Sequence, residues 1–264
     1  MKVYTMSFSP TGGTKKILDI LAGEFGTPKE MDFSLPGKDY GLYRFEPGDV
    51  CLVGAPCFGG RIPKAAIENF TKVRAKGAAA VVVVSYGNRA YEDALLELRK
   101  AMEGRGFQVV AAVAAVAEHS ITRQYGRGRP DDRDCQDLRF MAKDIRKILL
   151  KPDSWSDFYV PGRFPYKEYH TIPMVPETGG SCKGCGKCVD FCPAAAIPRD
   201  TPRETDRGRC ISCMRCVQVC PEHARKVNKL MLFGASMKLR KACSGRKENE
   251  LYLSSSQWVG FPPV

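Results

Sequence analysis

Short apolar runs alternate with amphipathic segments over the first 150 residues of the chain. The apolar runs predict five β-strands, at residues 2–8, 29–33, 49–54, 79–85 and 108–117. Helical spacing of apolar positions predicts four helices, at residues 15–25, 64–75, 91–103 and 131–150. Strands that alternate with helices are typical of a parallel sheet covered on both faces. The pattern therefore predicts an α/β domain with a doubly wound, five-stranded parallel sheet.

The pattern changes after residue 151, which divides the chain into four predicted parts. These are the α/β domain at 1–151, a connector at 152–176, a small cysteine-rich domain at 177–228 and a C-terminal region at 229–264. The connector is rich in proline and aromatic residues, which predicts a semi-rigid segment packed along a surface. The last region predicts a helix at 229–243 followed by an irregular tail, with no evident chemistry.

Composition narrows the class of protein. The chain has 264 residues, of which 44% are hydrophobic, enough for at least one sizeable core. The longest apolar runs, 78–84 and 109–117, are far shorter than the roughly 20 residues that cross a bilayer. The first ten residues read as a strand and lack the apolar core of a secretory signal. We therefore expect a cytoplasmic protein without disulfides, and no membrane association.

The formal net charge is +12, which raises the question of a charged partner. Arginines and aspartates are mixed over residues 123–139, so no basic stripe forms, and no nucleic-acid-binding motif is present. We therefore do not expect a nucleic acid as partner. The basic excess indicates either an acidic redox protein as partner or a solvated surface, with equal weight. The sequence does not predict the oligomeric state.

Eight of the twelve cysteines form two copies of one spacing, Cys-x2-Cys-x2-Cys-x3-Cys-Pro. Three thiolates within seven residues hold one [4Fe–4S] cluster, and the cysteine before proline reaches the other cluster. The predicted ligands of the first cluster are Cys182, Cys185, Cys188 and Cys220, and those of the second are Cys210, Cys213, Cys216 and Cys192. Structural zinc is the alternative, but tetrahedral zinc has no use for this tripled spacing. The pattern predicts two [4Fe–4S] clusters and transport of electrons.

The loop after the first predicted strand carries hydroxyls and glycines directly before a helix. Its residues are Ser9, Pro10, Thr11, Gly12, Gly13 and Thr14. Hydroxyls and free backbone N–H groups at a helix N-terminus form a phosphate site. The loop has neither the Walker spacing nor the dinucleotide fingerprint. An ordinary helix cap, which favours the same residue types, is the alternative interpretation.

Two further loops follow the third and fourth predicted strands, and each contains aromatic residues. Residues 54–63 contain Phe58 beside Gly59, and residues 85–93 contain Tyr86 and Tyr91. Ligands of doubly wound sheets bind outside the carboxyl ends of the strands, where these loops meet the phosphate loop. Aromatic side chains can pack on a flat ring, so the three loops together predict an FMN site.

The chain is similar in these motifs to a known group of proteins. The matching segments are SFSPTGGT at 7–14, GAPCFGGRIP at 54–63, SYGNRAYEDAL at 85–95 and both cysteine runs. Residues 1–150 resemble the flavodoxin superfamily. The whole chain resembles fusions of a flavodoxin domain with a two-cluster ferredoxin, the EFR-type ferredoxins of anaerobic prokaryotes.

This resemblance implies roles for individual residues. Those that would hold the FMN phosphate are Ser9, Thr11, Gly12, Gly13 and Thr14. Those that would border the flavin ring are Pro56, Cys57, Phe58 and Gly59 on one side and Tyr86, Gly87, Asn88, Tyr91 and Asp93 on the other. Cys51, Cys135 and Cys243 are expected to be small buried hydrophobic residues. No catalytic residue is predicted.

Two functions of different class remain open besides a purely structural role for the clusters. The first is an electron carrier in which FMN, a one- or two-electron cofactor, exchanges electrons with the one-electron clusters and a redox partner. The second is a flavin-dependent reductase of a small molecule, fed through the clusters. His119, Arg89 and Arg123 would then face the substrate.

Overall fold

The computed structural model describes residues 2–254, and a parallel sheet forms the centre of its larger unit. The strands of the first 150 residues are β1 (Lys2–Ser7), β2 (Lys29–Asp32), β3 (Arg44–Phe45), β4 (Asp49–Pro56), β5 (Arg74–Ala75), β6 (Ala79–Tyr86) and β7 (Gln108–Val116). The five predicted strands are present and lie in the order β2-β1-β4-β6-β7, all parallel. This is the flavodoxin-type order, in which the chain reverses direction of winding after the first strand. The short strands β3 and β5 pair separately.

Helices cover both faces of this sheet, as predicted. They are α1 (Gly13–Ala22), α2 (Lys64–Phe70), α3 (Ala94–Glu103) and α4 (Asp132–Leu149), with 3-10 turns at Tyr40–Leu42 and Pro152–Ser154. Helix α2 is shorter than predicted because the chain turns at Thr71 and then enters β5. Helix α4 begins with a capping box between Asp131 and Asp134. Among the described residues, no helix has the length and apolar character needed to cross a membrane.

Alternating side chains of the central strands divide between two cores. Val81 and Val83 of β6 pack with α1 and α4 in one core. Val82 and Val84 pack with α2 and α3 in the other. Because successive strand residues point to opposite faces, an uninterrupted apolar strand such as β6 can supply both cores.

The cysteine-rich unit is built from two short repeats. Its elements are β8 (Glu177–Thr178), α5 (Lys187–Asp190), α6 (Arg215–Val219) and β9 (Arg225–Lys226), and β8 pairs antiparallel with β9. Left-handed backbone residues recur at equivalent places, with Gly184 and Gly186 in the first repeat and Ser212 and Met214 in the second. The two cysteine runs therefore share a backbone conformation as well as a spacing.

The connector packs along α3 and its neighbouring loops. The guanidinium of Arg99 lies 4.4 Å from the ring centroid of Phe158, and that of Arg61 lies 4.9 Å from the ring of Tyr166. The carboxylate of Asp93 accepts backbone hydrogen bonds from connector residues 163 and 167, at 2.9 and 2.7 Å. The connector is thus held by side chains of the α/β unit, although the exact domain limits remain a prediction.

The C-terminal region returns to the sheet, which the sequence pattern did not predict. After α7 (Lys229–Leu239) the chain forms β10 (Glu250–Leu253), which pairs antiparallel with β7 as a sixth strand. The prediction of a wholly irregular tail is wrong for this segment, because a four-residue strand becomes evident only beside a partner. Residues 255–264 of the predicted tail lie outside the described residues.

A buried carboxylate joins the returning segment to α4. Asp134 is fully buried and accepts hydrogen bonds from Arg129 Nε at 2.7 Å, Arg246 Nη2 at 3.0 Å and Asn249 Nδ2 at 3.1 Å. Arg129 is also buried and donates to the carbonyl of Lys247 at 2.7 Å. Several ionic hydrogen bonds therefore converge where the tail meets the sheet.

We predict that Asp134→Ala lowers the free energy of unfolding by about 3–5 kcal/mol, because it leaves the buried guanidinium of Arg129 without its carboxylate. Urea unfolding followed by far-UV circular dichroism measures this change. The matched control is Asp144→Ala on the same helix, which removes an exposed pair with Lys147 and should change stability by no more than about 0.5 kcal/mol. Equal effects of the two substitutions would contradict the role of the network.

Candidate functional site

A cleft opens at the carboxyl ends of the parallel strands. Its walls are the loops that follow β1, β4, β6 and β7, together with Ile172 of the connector. The predicted residues that line it are Ser9, Thr11, Gly13, Thr14, Pro56, Cys57, Phe58, Gly59, Tyr86 and Gly87. The sheet topology thus brings most of the predicted FMN-site residues together at the place expected for a doubly wound fold.

The loop after β1 is shaped for an anion. Gly12 has a φ of +89° and caps α1, a conformation that a residue with a Cβ adopts at a cost. Among the described residues, no protein acceptor takes the backbone N–H groups of Thr11, Gly13 or Thr14. Three free donors at the N-terminus of a ten-residue helix form a site that favours negative charge.

The hydroxyls of this loop do different work. Ser9 Oγ accepts from the backbone N–H of Lys15 at 2.9 Å, and the Thr14 hydroxyl lies 2.7 Å from that of Ser85, where both are buried. These two hydroxyls brace the loop, whereas no protein partner is found for the Thr11 hydroxyl in the described part of the chain. Gly12 lies on the far side of the loop, in a neighbouring groove.

The loop after β4 forms one wall with Pro56, Cys57, Phe58 and Gly59. Phe58 pairs with Arg61 through backbone hydrogen bonds, which closes a tight turn. Burial raises the pKa of the Cys57 thiol to about 12. The thiol therefore stays protonated near neutral pH, and its geometry makes it a packing residue of the wall rather than a nucleophile.

The loop after β6 divides between the cleft and the fold. Gly87 and Arg89 line the cleft, and the carboxylate of Glu92 accepts from Arg89 Nη1 at 2.7 Å. Tyr86 also lines it, although its hydroxyl donates to the carbonyl of Glu248 at 3.3 Å.

Three predicted members of the same wall do not line the cleft. The side-chain amide of Asn88 donates to the carbonyls of Cys243 and Gly245, both at 2.8 Å. The Tyr91 hydroxyl donates to Glu250, and Asp93 binds the connector. Their polar groups anchor the returning tail and the connector, because the loop after β6 lies where both segments cross the sheet.

His119 lines the cleft from the loop after β7, and its ring packs on Gly87. A Cβ on residue 87 would lie 2.6 Å from His119 Cδ2, so the close approach requires glycine. Nδ1 accepts from the backbone N–H groups of Ile121 and Thr122, both at 3.2 Å. This arrangement assigns the neutral ring's proton to Nε2. Burial lowers the pKa of His119 to about 4.

The other proposed substrate-facing residues separate in space. Arg89 lines the cleft together with His119. Arg123 does not, because its exposed guanidinium pairs with Glu118 at 2.6 Å. Sequence reasoning missed Ile172 as a lining residue, since a connector residue more than fifty positions beyond β7 carries no local signal for this cleft.

The eight cysteines of the two runs line two small cavities in the cysteine-rich unit. The first cavity contains Cys182, Cys185, Cys188 and Cys220, and the second contains Cys192, Cys210, Cys213 and Cys216. Each fourth cysteine lies in the cavity of the other run, as the spacing predicted. Within residues 2–254, no group of three or more His, Cys, Asp or Glu is arranged to hold a single metal ion.

Backbone N–H groups point at several of these sulfurs. The N–H of Ala196 lies 3.2 Å from Cys192 Sγ, and that of Ala224 lies 3.3 Å from Cys220 Sγ. Arg225 Nη2 is 3.7 Å from Cys188 Sγ. Such donors stabilise thiolate charge and tune the potential of a bound cluster.

Residues 175–228 match the 4Fe-4S dicluster domain family. This part of the chain is an iron–sulfur domain. The match covers both cysteine runs, both cavities and the β8–β9 pair. No curated protein matches the chain.

Solved structures similar to the α/β unit are flavoproteins by their printed names. They include the rubredoxin oxygen:oxidoreductase of Desulfovibrio gigas (19% identity, 56% of this chain and 36% of that chain, TM-score 0.42). A flavodoxin from the domain Archaea shares 15% identity over 57% of this chain and 99% of its own, with a TM-score of 0.38. The Megasphaera elsdenii flavodoxin shares 17% over 53% and 98%, with a TM-score of 0.36. This chain thus spans about a third of the first protein, and its fold assignment rests on its own strand order.

The lowered pKa of His119 predicts a dependence of stability on pH. Between about pH 6.5 and pH 4 the unfolded chain binds a proton that the folded chain does not, so stability falls as the pH falls through this window. The slope from this one group is at most about 1.4 kcal/mol per pH unit. His119→Gln keeps a side-chain acceptor but does not titrate, and urea unfolding at several pH values should give a flatter profile. Parallel profiles of the two proteins would contradict the assignment.

Proposed function

We propose that the protein is an electron carrier that binds FMN in the cleft and one [4Fe–4S] cluster in each cysteine cavity, and that exchanges electrons with a redox partner. The observation that carries the proposal is the contact between the two sites. Arg215, in the second cysteine run, donates to backbone carbonyls of the phosphate loop. Two redox sites held in contact within one chain are suited to transfer of electrons between them.

The chemistry of the cleft residues supports FMN. The free N–H groups of Thr11, Gly13 and Thr14 and the hydroxyl of Thr11 suit a phosphate dianion. Arg89 and the Nε2–H of His119 supply donors at the opposite wall, where Arg89 favours negative charge on a bound ring. Phe58 offers an aromatic surface in the wall between them.

The cysteine cavities support two clusters in place of zinc. Each contains four thiols from two separated stretches of chain, in the exchange of fourth cysteines that is typical of two-cluster ferredoxins. When bound, FMN releases two electrons and two protons on full oxidation, and each cubane accepts one electron, so two cubanes match one flavin.

Charge supports an acidic redox partner. The formal charge of +12 falls to about +6 when two clusters with their thiolates and one FMN phosphate are counted. Such a surface attracts an acidic protein by complementary steering. We propose this class of partner and no nucleic acid.

A small-molecule reductase is the second candidate, and one observation favours it. His119 and Arg89 line the same cleft and offer hydrogen-bond donors to a substrate beside a flavin. Saturable turnover of a small acceptor, with the clusters as electron source, would favour this function over a carrier.

The first prediction of the proposal concerns composition. Anaerobically purified protein should contain about eight irons, about eight acid-labile sulfides and about one FMN per chain, as two cubanes and one flavin require. Iron, sulfide and extracted flavin are quantified on one sample. About four irons would mean that one cavity holds no cubane, and clusters without flavin would mean that the cleft takes another ligand.

The second prediction concerns the phosphate site. Thr11→Val should raise the FMN dissociation constant about tenfold, because it removes one hydrogen bond to an ionised phosphate. Quenching of FMN fluorescence measures the constant. The control is Thr71→Val at the end of α2, whose hydroxyl donates to Ile67 outside the cleft and which should leave FMN affinity unchanged. Iron content should be equal in both variants, and an unchanged constant for Thr11→Val would place the phosphate elsewhere.

A further inference from the structure

The two cysteine runs have the same spacing but opposite surroundings. The residues between the first three cysteines are Lys183, Gly184, Gly186 and Lys187 in the first run and Ile211, Ser212, Met214 and Arg215 in the second. Lys183, Cys185 and Lys187 are exposed, whereas Cys213 and Met214 are buried. Equivalent positions have therefore become charged and solvated in one run and apolar and covered in the other.

The second run contacts the α/β unit along its whole length. Ile211 packs against the core formed by α2, α3 and one face of the sheet. The hydroxyl of Ser212 donates to the carbonyl of Ile172 at 2.6 Å, and Ile172 itself lines the cleft. One residue thus lies between the second cysteine run and the cleft.

Arg215 makes the direct connection to the phosphate loop. Its Nη1 donates to the carbonyls of Ser9 and Pro10, both at 3.1 Å, and its Nη2 lies 3.6 Å from the carboxylate of Asp32. The guanidinium also lies 5.4 Å from the ring centroid of Phe191, the residue before Cys192. A planar fork with several donors can hold such separated acceptors, which a single ammonium group cannot.

The backbone of the second run indicates that this contact has a cost. Met214 has a φ of +64° at the position where the first run has Gly186 at +74°. A side chain in this region costs about 1–2 kcal/mol. The Met214 side chain is buried, with 5% of its surface exposed, so burial of its apolar surface offsets the strain.

The first run makes no comparable contact. In the part of the chain that the structure describes, the hydrogen bonds and ion pairs of residues 181–190 stay within the iron–sulfur domain, including the pair between Lys183 and Glu222 at 3.1 Å. Its cavity opens beside exposed Cys185 and two lysines. This end of the domain is accessible to another protein.

We propose that Arg215 is a positioning residue that holds the second cysteine cavity against the phosphate loop, so that its cluster exchanges electrons with the flavin, while the first cluster faces an acidic redox partner at Lys183 and Lys187. This inference rests on the proposed function. It assigns an order to the electron path, with the flavin and the partner at opposite ends of the cluster pair. Each transfer moves one electron from the reduced to the oxidised centre.

The test compares equivalent positions of the two runs. Arg215→Met keeps the length of the side chain but removes its donors, and Lys187→Met makes the matched change in the first run. In anaerobic protein with equal iron, sulfide and FMN content, the flavin is photoreduced and bleaching of the clusters is followed in a single turnover. Arg215→Met should lose the fast phase of cluster reduction, whereas Lys187→Met should keep it. Arg215→Lys, with charge but no fork, should recover part of the fast phase.

A second readout separates positioning from general stability. Hydrogen exchange of the loop at residues 9–16 should be faster in Arg215→Met, because the carbonyls of Ser9 and Pro10 lose their donor. Exchange at residues 182–188 should be unchanged. Unchanged exchange at 9–16 together with an intact fast phase would overturn the positioning role.

The partner-facing end is tested with small acceptors of opposite charge. Reduced protein should lose rate with anionic ferricyanide when Lys183 and Lys187 are both replaced by Gln, and the loss should shrink at high salt. The rate with cationic hexaammineruthenium(III) should not fall. Equal losses with both ions would place the exit elsewhere. Absence of flavin or clusters from the unaltered protein would refute the proposed function itself, whereas full content with indifferent Arg215 variants would refute only this inference.

Discussion

The iron–sulfur domain is tied to the α/β unit at both of its ends, and the arrangement of the molecule depends on this constraint. The connector enters along α3, where Asp93, Arg61 and Arg99 hold it. The chain leaves through β10, which adds to the edge of the sheet beside β7. A unit anchored twice loses far less orientational freedom to binding than one on a single flexible tether. Its cysteine runs are therefore presented to the cleft in one orientation.

The loop after β6 joins the two anchors to the cleft. Gly87 and Arg89 face the cleft, while Asn88 binds the tail and Asp93 binds the connector. Alternate residues of one loop thus serve the site and the assembly of the chain. Damage to either anchor is expected to reach the cleft wall, because they share this backbone.

Polar groups around the cleft are held by internal hydrogen bonds before any ligand arrives. The neutral ring of His119 is fixed by two backbone donors, the Thr14 and Ser85 hydroxyls satisfy each other, and the Cys57 thiol stays protonated. Groups already held in place need little reorganisation when charge develops nearby. This order favours a site in which electrons, rather than atoms, are transferred.

Local patterns were sufficient for much of this protein. Period-two and helical spacing determined the five parallel strands and four helices, since these elements bury their apolar faces wherever they pack. The cysteine spacing determined the two four-cysteine sets, because a short loop limits which thiols can meet. The phosphate loop was also evident, since glycine and hydroxyl residues between a strand and a helix have few other uses.

Contacts between distant residues were decided only by the tertiary structure. Residues 250–253 became a strand because β7 offered an unpaired edge, and Asn88, Tyr91 and Asp93 turned from the cleft because the tail and the connector cross their loop. The bond from Arg215 to the phosphate loop joins residues more than 200 positions apart. Spacing along the chain carries information about neighbours within a few turns, whereas the path from cleft to cluster depends on which surfaces the folded chain brings together.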